Sequence, residues 1–148
     1  MSVKPSDSKV YDCSVIELDR HHSERKGSLS VVENNITIPF DIKRVYYLYD
    51  VPGGVSRGGH AHKAVKQMIV AVGGSFSVTL DDGFVKRTFF LNHPYQGLLV
   101  MPGLWRVLED FSSGAVCMVL ASDVYDEEDY IRNYSDFLKF KGIRSNES

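Results

Sequence analysis

His60 and His62 stand at i and i+2 in the stretch Arg57-Gly58-Gly59-His60-Ala61-His62-Lys63. On an extended strand alternate side chains share a face, so the two imidazoles are expected to point the same way. Such a pair either ligates a transition metal through neutral ring nitrogens or carries protons, because imidazole titrates near neutral pH. A surface strand with two unrelated histidines would show the same spacing. The glycines at 53, 54, 58 and 59 before the pair, and the buried-strand patterning after it, favour a site.

The elements that must position this pair read as strands. Lys43 to Val51 is dense in aromatic and branched residues and ends at Pro52-Gly53-Gly54. Val65 to Val72 is a nearly continuous apolar strand turned by Gly73-Gly74. In Ser75 to Leu80, Phe76, Val78 and Leu80 alternate with polar residues, and Asp81-Asp82-Gly83 predicts a hairpin into Phe84 to Leu91. Further strands are expected at Gly97 to Met101, Arg106 to Glu109 and Ala115 to Ala121. Upstream, Tyr11 to Leu18 reads as a short strand and Asp19 to Gly27 as a polar loop carrying His21 and His22 on the surface. Leu29 to Ile38 reads as a strand pair about Asn34-Asn35, residues that tolerate left-handed backbone. Many short strands at regular spacing predict an all-β antiparallel sandwich or barrel. Only the far end reads as helix: Asp126 to Asp129 is acidic, and Tyr130, Ile131, Tyr134, Phe137 and Leu138 recur at three- and four-residue spacing.

The 148 residues fit one domain, 1–148, with 1–10 and 140–148 expected as flexible ends. Apolar residues at 43% and charged residues at 24% are ordinary for a soluble protein, and no apolar run approaches a membrane span. The N-terminal ten residues lack the apolar core of a signal peptide, which makes the cytoplasm the default location. Cys13 and Cys117 read as reduced core thiols. A net charge of -2 without a basic cluster argues against a nucleic-acid surface, so an anionic ligand would need locally placed arginines.

The strands and the histidine pair resemble the cupin superfamily, whose first motif runs G-x5-H-x-H-x(3,4)-E-x6-G. Gly54, His60, His62 and Gly74 match it, but Gln67 stands at the glutamate position. A second-motif histidine is also missing, since Pro102-Gly103-Leu104 leads into Trp105 and Arg106. His93 reads as part of a turn before Pro94. Two good ligands are too few for a tight divalent site, so neither metal nor any other cofactor is expected. Without metal, two imidazoles in a barrel suit proton transfer next to a carbonyl, which needs a base and a donor for the enolate oxygen. Arg57 to His60, R-G-G-H, is similar to the R-G-x-H of the deoxysugar-nucleotide epimerase branch.

A closer resemblance covers nearly the whole chain. The runs RVYYLYDVPGGVSRGGHAHK, LDDG, LNHPYQGLLVMPGLWR and LASDVYDEEDYIRNYSDFL, with Gln67 between the first two, resemble the dTDP-4-keto-6-deoxyglucose 3,4-ketoisomerases. The resemblance implies a jelly-roll-type cupin barrel with a short C-terminal helix and an isomerase independent of metal. It implies conversion of the 4-keto sugar nucleotide to a 3-keto hexose through an enediol, for dideoxy-aminosugar biosynthesis, with His60 and His62 carrying the chemistry. It also implies a homodimer with exchanged N-terminal strands, and the apolar strands of Tyr11 to Val32 would otherwise leave an open sheet edge.

Substrate-binding candidates follow from residue chemistry within that frame. Arg57 suits a phosphate or the region of the sugar carbonyl. Tyr46 and Tyr47 occupy opposite faces of one strand, so at most one faces the interior. Gln67 stands where the epimerase branch has a lysine and suits a substrate oxygen. Trp105 and Arg106 are expected at the mouth, on the thymine ring and the diphosphate, with a core position open for Trp105. Two other functions fit the same residues: a 3,5-epimerase-like enzyme, and a non-catalytic sugar-nucleotide-binding cupin.

Overall fold

Phe76, Val78 and Leu80, the apolar members of the alternating run, are all fully buried, and the strand they form lies inside one wall of a two-sheet sandwich. The computed structural model of the chain describes residues 4–143. In chain order the strands are β1 (Ser14–Glu17), β2 (Asp19–Ser23), β3 (Gly27–Val31), β4 (Arg44–Leu48), β5 (Arg57–His62) and β6 (Gln67–Gly73). They continue as β7 (Phe76–Asp81), β8 (Lys86–Leu91), β9 (Gln96–Val100), β10 (Trp105–Glu109), β11 (Val116–Ala121) and β12 (Tyr130–Ile131), followed by one helix, α1 (Tyr134–Phe140).

One sheet runs β1-β9-β6-β11-β4 and the other β12-β5-β10-β7-β8, with every pairing antiparallel. Ile69 and Ala71 of β6, Cys117 and Val119 of β11 and Leu98 of β9 pack against the second sheet to make the main core. The opposite face of β6 is buried too. There Met68 and Val70 lie with Leu18, Ile38, Phe40 and Leu120 in a second apolar layer. Burial on both faces is why β6 reads as a continuous apolar run instead of an alternating one. The molecule is thus an antiparallel jelly roll of cupin type with one short helix.

Three local expectations change. Asp19 to Ser23, expected as loop, is a strand that pairs with β3 through the full register Asp19↔Val31 to Ser23↔Gly27. Polar side chains on an exposed hairpin gave it no apolar alternation; four of the five β3 residues and all of β2 are exposed. The turn at Asn34-Asn35 exists, with Asn35 at φ 57°, but it closes an irregular segment and not a strand pair. The C-terminal helix begins at Tyr134, capped by Asn133 Oδ1 accepting from Asp136 N at 3.2 Å. The acidic stretch before it forms a single 3-10 turn, Glu127–Asp129, and Tyr130–Ile131 is strand β12.

Parts of both expected loose ends are packed. Val10 is fully buried and its N–H donates to Asp82 Oδ2 at 3.1 Å, while Lys141 Nζ donates to the carbonyls of Ser8 and Gly103 at 2.6 and 2.9 Å. Residues 1–3 and 144–148 lie outside the described residues. No helix among the described residues is long and apolar enough to cross a membrane.

Candidate active site

The pairing of β5 with β10 sets the site. Arg106 lies directly opposite His60, but Leu108, two residues on, lies opposite Arg57, three residues back. The extra residue on β5 is a bulge, and Gly58 takes it up at φ +82°, a conformation that side-chain-bearing residues rarely adopt. The bulge brings Arg57 onto the same side as His60. Both line a cavity of about 470 Å³ between the sheets, together with Tyr46, Arg106, Arg44 and Tyr130.

His60 and His62 share a face as alternation requires, with their Nε2 atoms 3.2 Å apart. Only His60 lines the cavity; His62 stands behind it, fully buried. His62 Nδ1 lies 2.8 Å from Asp129 Oδ2, and the other carboxylate oxygen accepts the N–H of Ala64 at 2.8 Å. An ionised carboxylate only accepts, so Nδ1 of His62 is the donor and its Nε2 presents a lone pair to His60. The three side chains therefore form one line along which a proton can pass without either ring moving. Burial, with Arg106 and Arg132 adding to it, pushes His60 down to about 3. Burial and then Arg106 depress His62 in the same sense, so both rings are neutral near pH 7.

Arg106 is 2% exposed and forms the floor of the cavity. Its Nη1 donates to Gln67 Oε1, and Gln67 Nε2 donates to the hydroxyl of Tyr46 at 3.2 Å. This neutral bridge joins the two sheets. Burial raises the Tyr46 pKa, which keeps its phenol protonated. At the rim, Arg132 holds Glu127 through Nε and Nη2 at 2.6 and 2.9 Å, and the hydroxyl of Tyr125 donates to the same carboxylate at 2.5 Å.

Of the residues singled out in the sequence, the structure brings His60, His62, Arg57, Tyr46, Gln67 and Arg106 together. Tyr47 is 60% exposed on the outer face of β4. Trp105 is on the opposite face of β10 from Arg106, edge-on to Tyr134 at 5.3 Å and beside Phe137, because consecutive strand residues point to opposite sides. Arg106 sits at the floor and not at the mouth. Sequence reasoning passed over Asp129, Tyr130, Arg44 and Arg132. Asp129 lay inside the block read as a helix N-terminus, where a carboxylate has an ordinary explanation.

A family described as FdtA: WxcM-like, C-terminal, matches residues 11–142. The TDP-4-oxo-6-deoxy-alpha-D-glucose-3,4-oxoisomerase of Aneurinibacillus thermoaerophilus is 50% identical over 117 residues, 79% of this chain and 84% of that protein. Among solved structures, a 3,4-ketoisomerase from Helicobacter canadensis has a TM-score of 0.85 at 41% identity, over 88% of this chain and 98% of the other. A mutant of a Thermoanaerobacterium thermosaccharolyticum 3,4-ketoisomerase in complex with TDP-4-keto-6-deoxyglucose has a TM-score of 0.86 at 38% identity, over 88% and 94%. With the match running through every strand that builds the cavity and the histidine line, the chain belongs to the FdtA family of sugar-nucleotide 3,4-ketoisomerases and is an isomerase.

Proposed function

We propose that the chain converts TDP-4-keto-6-deoxyglucose to a TDP-3-keto-6-deoxyhexose, with His60 as the group that meets the sugar and His62 as its relay. The observation that carries this reading is the line His60–His62–Asp129 ending at the cavity wall. His60 takes the C3 proton on one ring nitrogen as its Nε2 proton passes to His62 Nε2, so that the positive charge rests beside Asp129. The substrate is left as an enediolate. The C3 hydroxyl proton then moves to the C4 oxygen, and the relay returns a proton to C4. One C–H bond and one O–H bond break and one of each forms.

The diphosphate is assigned to the exposed edge of the cavity at Arg57, with half-buried Arg44 and the Glu127-bound Arg132 also in the lining. Arginine suits this contact because its fork of donors matches phosphate oxygens. Tyr46 reaches the sugar from inside, while Gln67, fully buried behind the wall, holds Tyr46 and Arg106 in place; Tyr47 and Trp105, facing away within one chain, have no part in binding. The chemistry proposed uses no metal. At the two ligand positions that metal-binding cupins would need, this chain has an amide and a guanidinium, and the two are bonded to each other. Elemental analysis of the purified protein should find no stoichiometric Zn, Fe or Mn, and chelator should leave turnover intact.

The β2–β3 hairpin is exposed along its length, as an arm reaching a second copy would be before pairing. A homodimer with exchanged N-terminal strands is proposed on that ground, and sedimentation at micromolar concentration should give twice the chain mass. Free buried thiols at Cys13 and Cys117 suit the cytoplasm as the site of action.

Incubation with the 4-keto sugar nucleotide in D2O, followed by NMR, tests the activity. A 3-keto product with deuterium confined to the C3–C4 unit is expected. Exchange at C5 would point to a 3,5-epimerase instead, and binding without turnover to a sugar-nucleotide-binding protein.

A further inference from the structure

Arg106 forms no ion pair or hydrogen bond with an acidic side chain of the described residues. It is 2% exposed, its Nη1 is bonded to a neutral amide, and its Nε and Nη2 are buried without a hydrogen-bond partner. A guanidinium does not give up its proton under ordinary conditions, and burying it unpaired is costly unless an anion arrives. The cost is incurred at one particular place. Arg106 is the direct cross-strand partner of His60, and both side chains line the same cavity.

The diphosphate is a poor candidate for that anion. Arg57 at the rim is exposed and suits it, whereas Arg106 lies at the floor beside the ring that meets the sugar. On the isomerase reading above, the negative charge that develops next to His60 is on the sugar itself. When the C3–H bond breaks, the proton goes to His60, the electron pair forms the C3–C4 double bond, and the carbonyl pair moves on to the C4 oxygen. We propose that Arg106 is a catalytic residue, its Nε and Nη2 donating to that enediolate oxygen.

Gln67 acquires a definite role from this assignment. Its Oε1 takes Nη1 and its Nε2 is tied to Tyr46, which holds the guanidinium in place and leaves Nε and Nη2 without a partner. A carboxylate at 67 would hold Arg106 equally well but would neutralise it before the substrate arrived. The neutral amide leaves the charge for the transition state, where preorganised donors act most strongly.

The test uses the full chain and two variants, Arg106→Gln and Gln67→Glu, with kcat on the 4-keto sugar nucleotide and calorimetric Kd for TDP alone, which lacks the hexose. Arg106→Gln should lose about 10²–10³ in kcat, the range seen on removing an oxyanion donor. Gln67→Glu, nearly unchanged in size, should lose at least roughly tenfold in kcat, and both variants should bind TDP within about threefold of wild type. Loss of TDP affinity with kcat retained would make Arg106 a phosphate ligand and overturn the assignment. So would wild-type kcat in Gln67→Glu, which decides the matter if Arg106→Gln does not fold. An absence of turnover in the wild type defeats the isomerase reading itself, a result distinct from a wild type that turns over and a Gln67→Glu that matches it.

Discussion

His62 Nδ1 and Asp129 Oδ2 lie 2.8 Å apart although 67 residues separate them in the chain. Strand pairing sets this distance: Tyr130 and Ile131 of β12 register with His62 and Ala61 of β5, and the carboxylate of the preceding residue is carried onto the ring. The N–H of Lys63 donates to the Asp129 carbonyl at 2.9 Å, and the N–H of Ala64 to its side chain. Three contacts hold a single residue in place, so the tautomer of His62 is fixed before any substrate binds.

Asp129→Asn should preserve these backbone contacts, since an amide has the same shape and one acceptor oxygen, but it removes the negative charge beside the relay. Turnover is expected to fall about 10²-fold, within the range contributed by general acid–base groups. TDP affinity, read by calorimetry, should stay near wild type. Unchanged kcat in a folded Asp129→Asn protein would rule out the relay.

His60→Asn and His62→Asn should each lose about 10²–10⁴ in turnover while the fold, checked by circular dichroism, persists. Because the rings serve one route through the 3.2 Å contact, the losses should not add. The double variant should be little slower than the poorer single one. A double variant slower by the product of both factors would mean that the rings act independently.

Stability should also report on the two rings. In the unfolded chain each imidazole titrates near 6.5, while in the fold burial and Arg106 hold His60 neutral down to about 3 and depress His62 as well. Between those values the unfolded chain binds protons that the folded one refuses, so stability must fall as pH drops from 6.5 toward 3. Tm measured across that window should decline, and His60→Asn should flatten the decline. An equal slope in wild type and variant would mean that His60 protonates in the fold as it does in the unfolded chain.

Much of this was legible in the chain. The alternation of Phe76, Val78 and Leu80 and the turn at Asp81-Asp82-Gly83 specify β7 and β8 because one face of each must be buried, which is a local property. The H-x-H spacing likewise places two rings on one face through strand geometry alone. Asp129 was hidden because its partner is set by a two-residue strand, too short to leave a periodic signal. Arg106 and Trp105 were placed together at the mouth, and strand alternation separates them: one enters the cavity floor, the other packs on α1. Depth within a cavity depends on how two sheets close, and no spacing along a single strand encodes it.

Gly58→Ala tests the bulge that turns Arg57 toward the cavity. At φ +82° an alanine costs about 1–2 kcal/mol, and its Cβ would stand 3.2 Å from Leu108 Cδ1 and 3.7 Å from His60 Cε1. For a domain of this size Tm should drop by roughly 2–8 °C. Relief of the strain by straightening β5 would swing Arg57 away, so KM for the sugar nucleotide should rise more than kcat falls. Gly53→Ala is the control: its backbone is not left-handed and nothing lies within 4 Å of the added carbon, so stability should hold or rise slightly. Equal stability and KM in Gly58→Ala and Gly53→Ala would show that the bulge does not position Arg57.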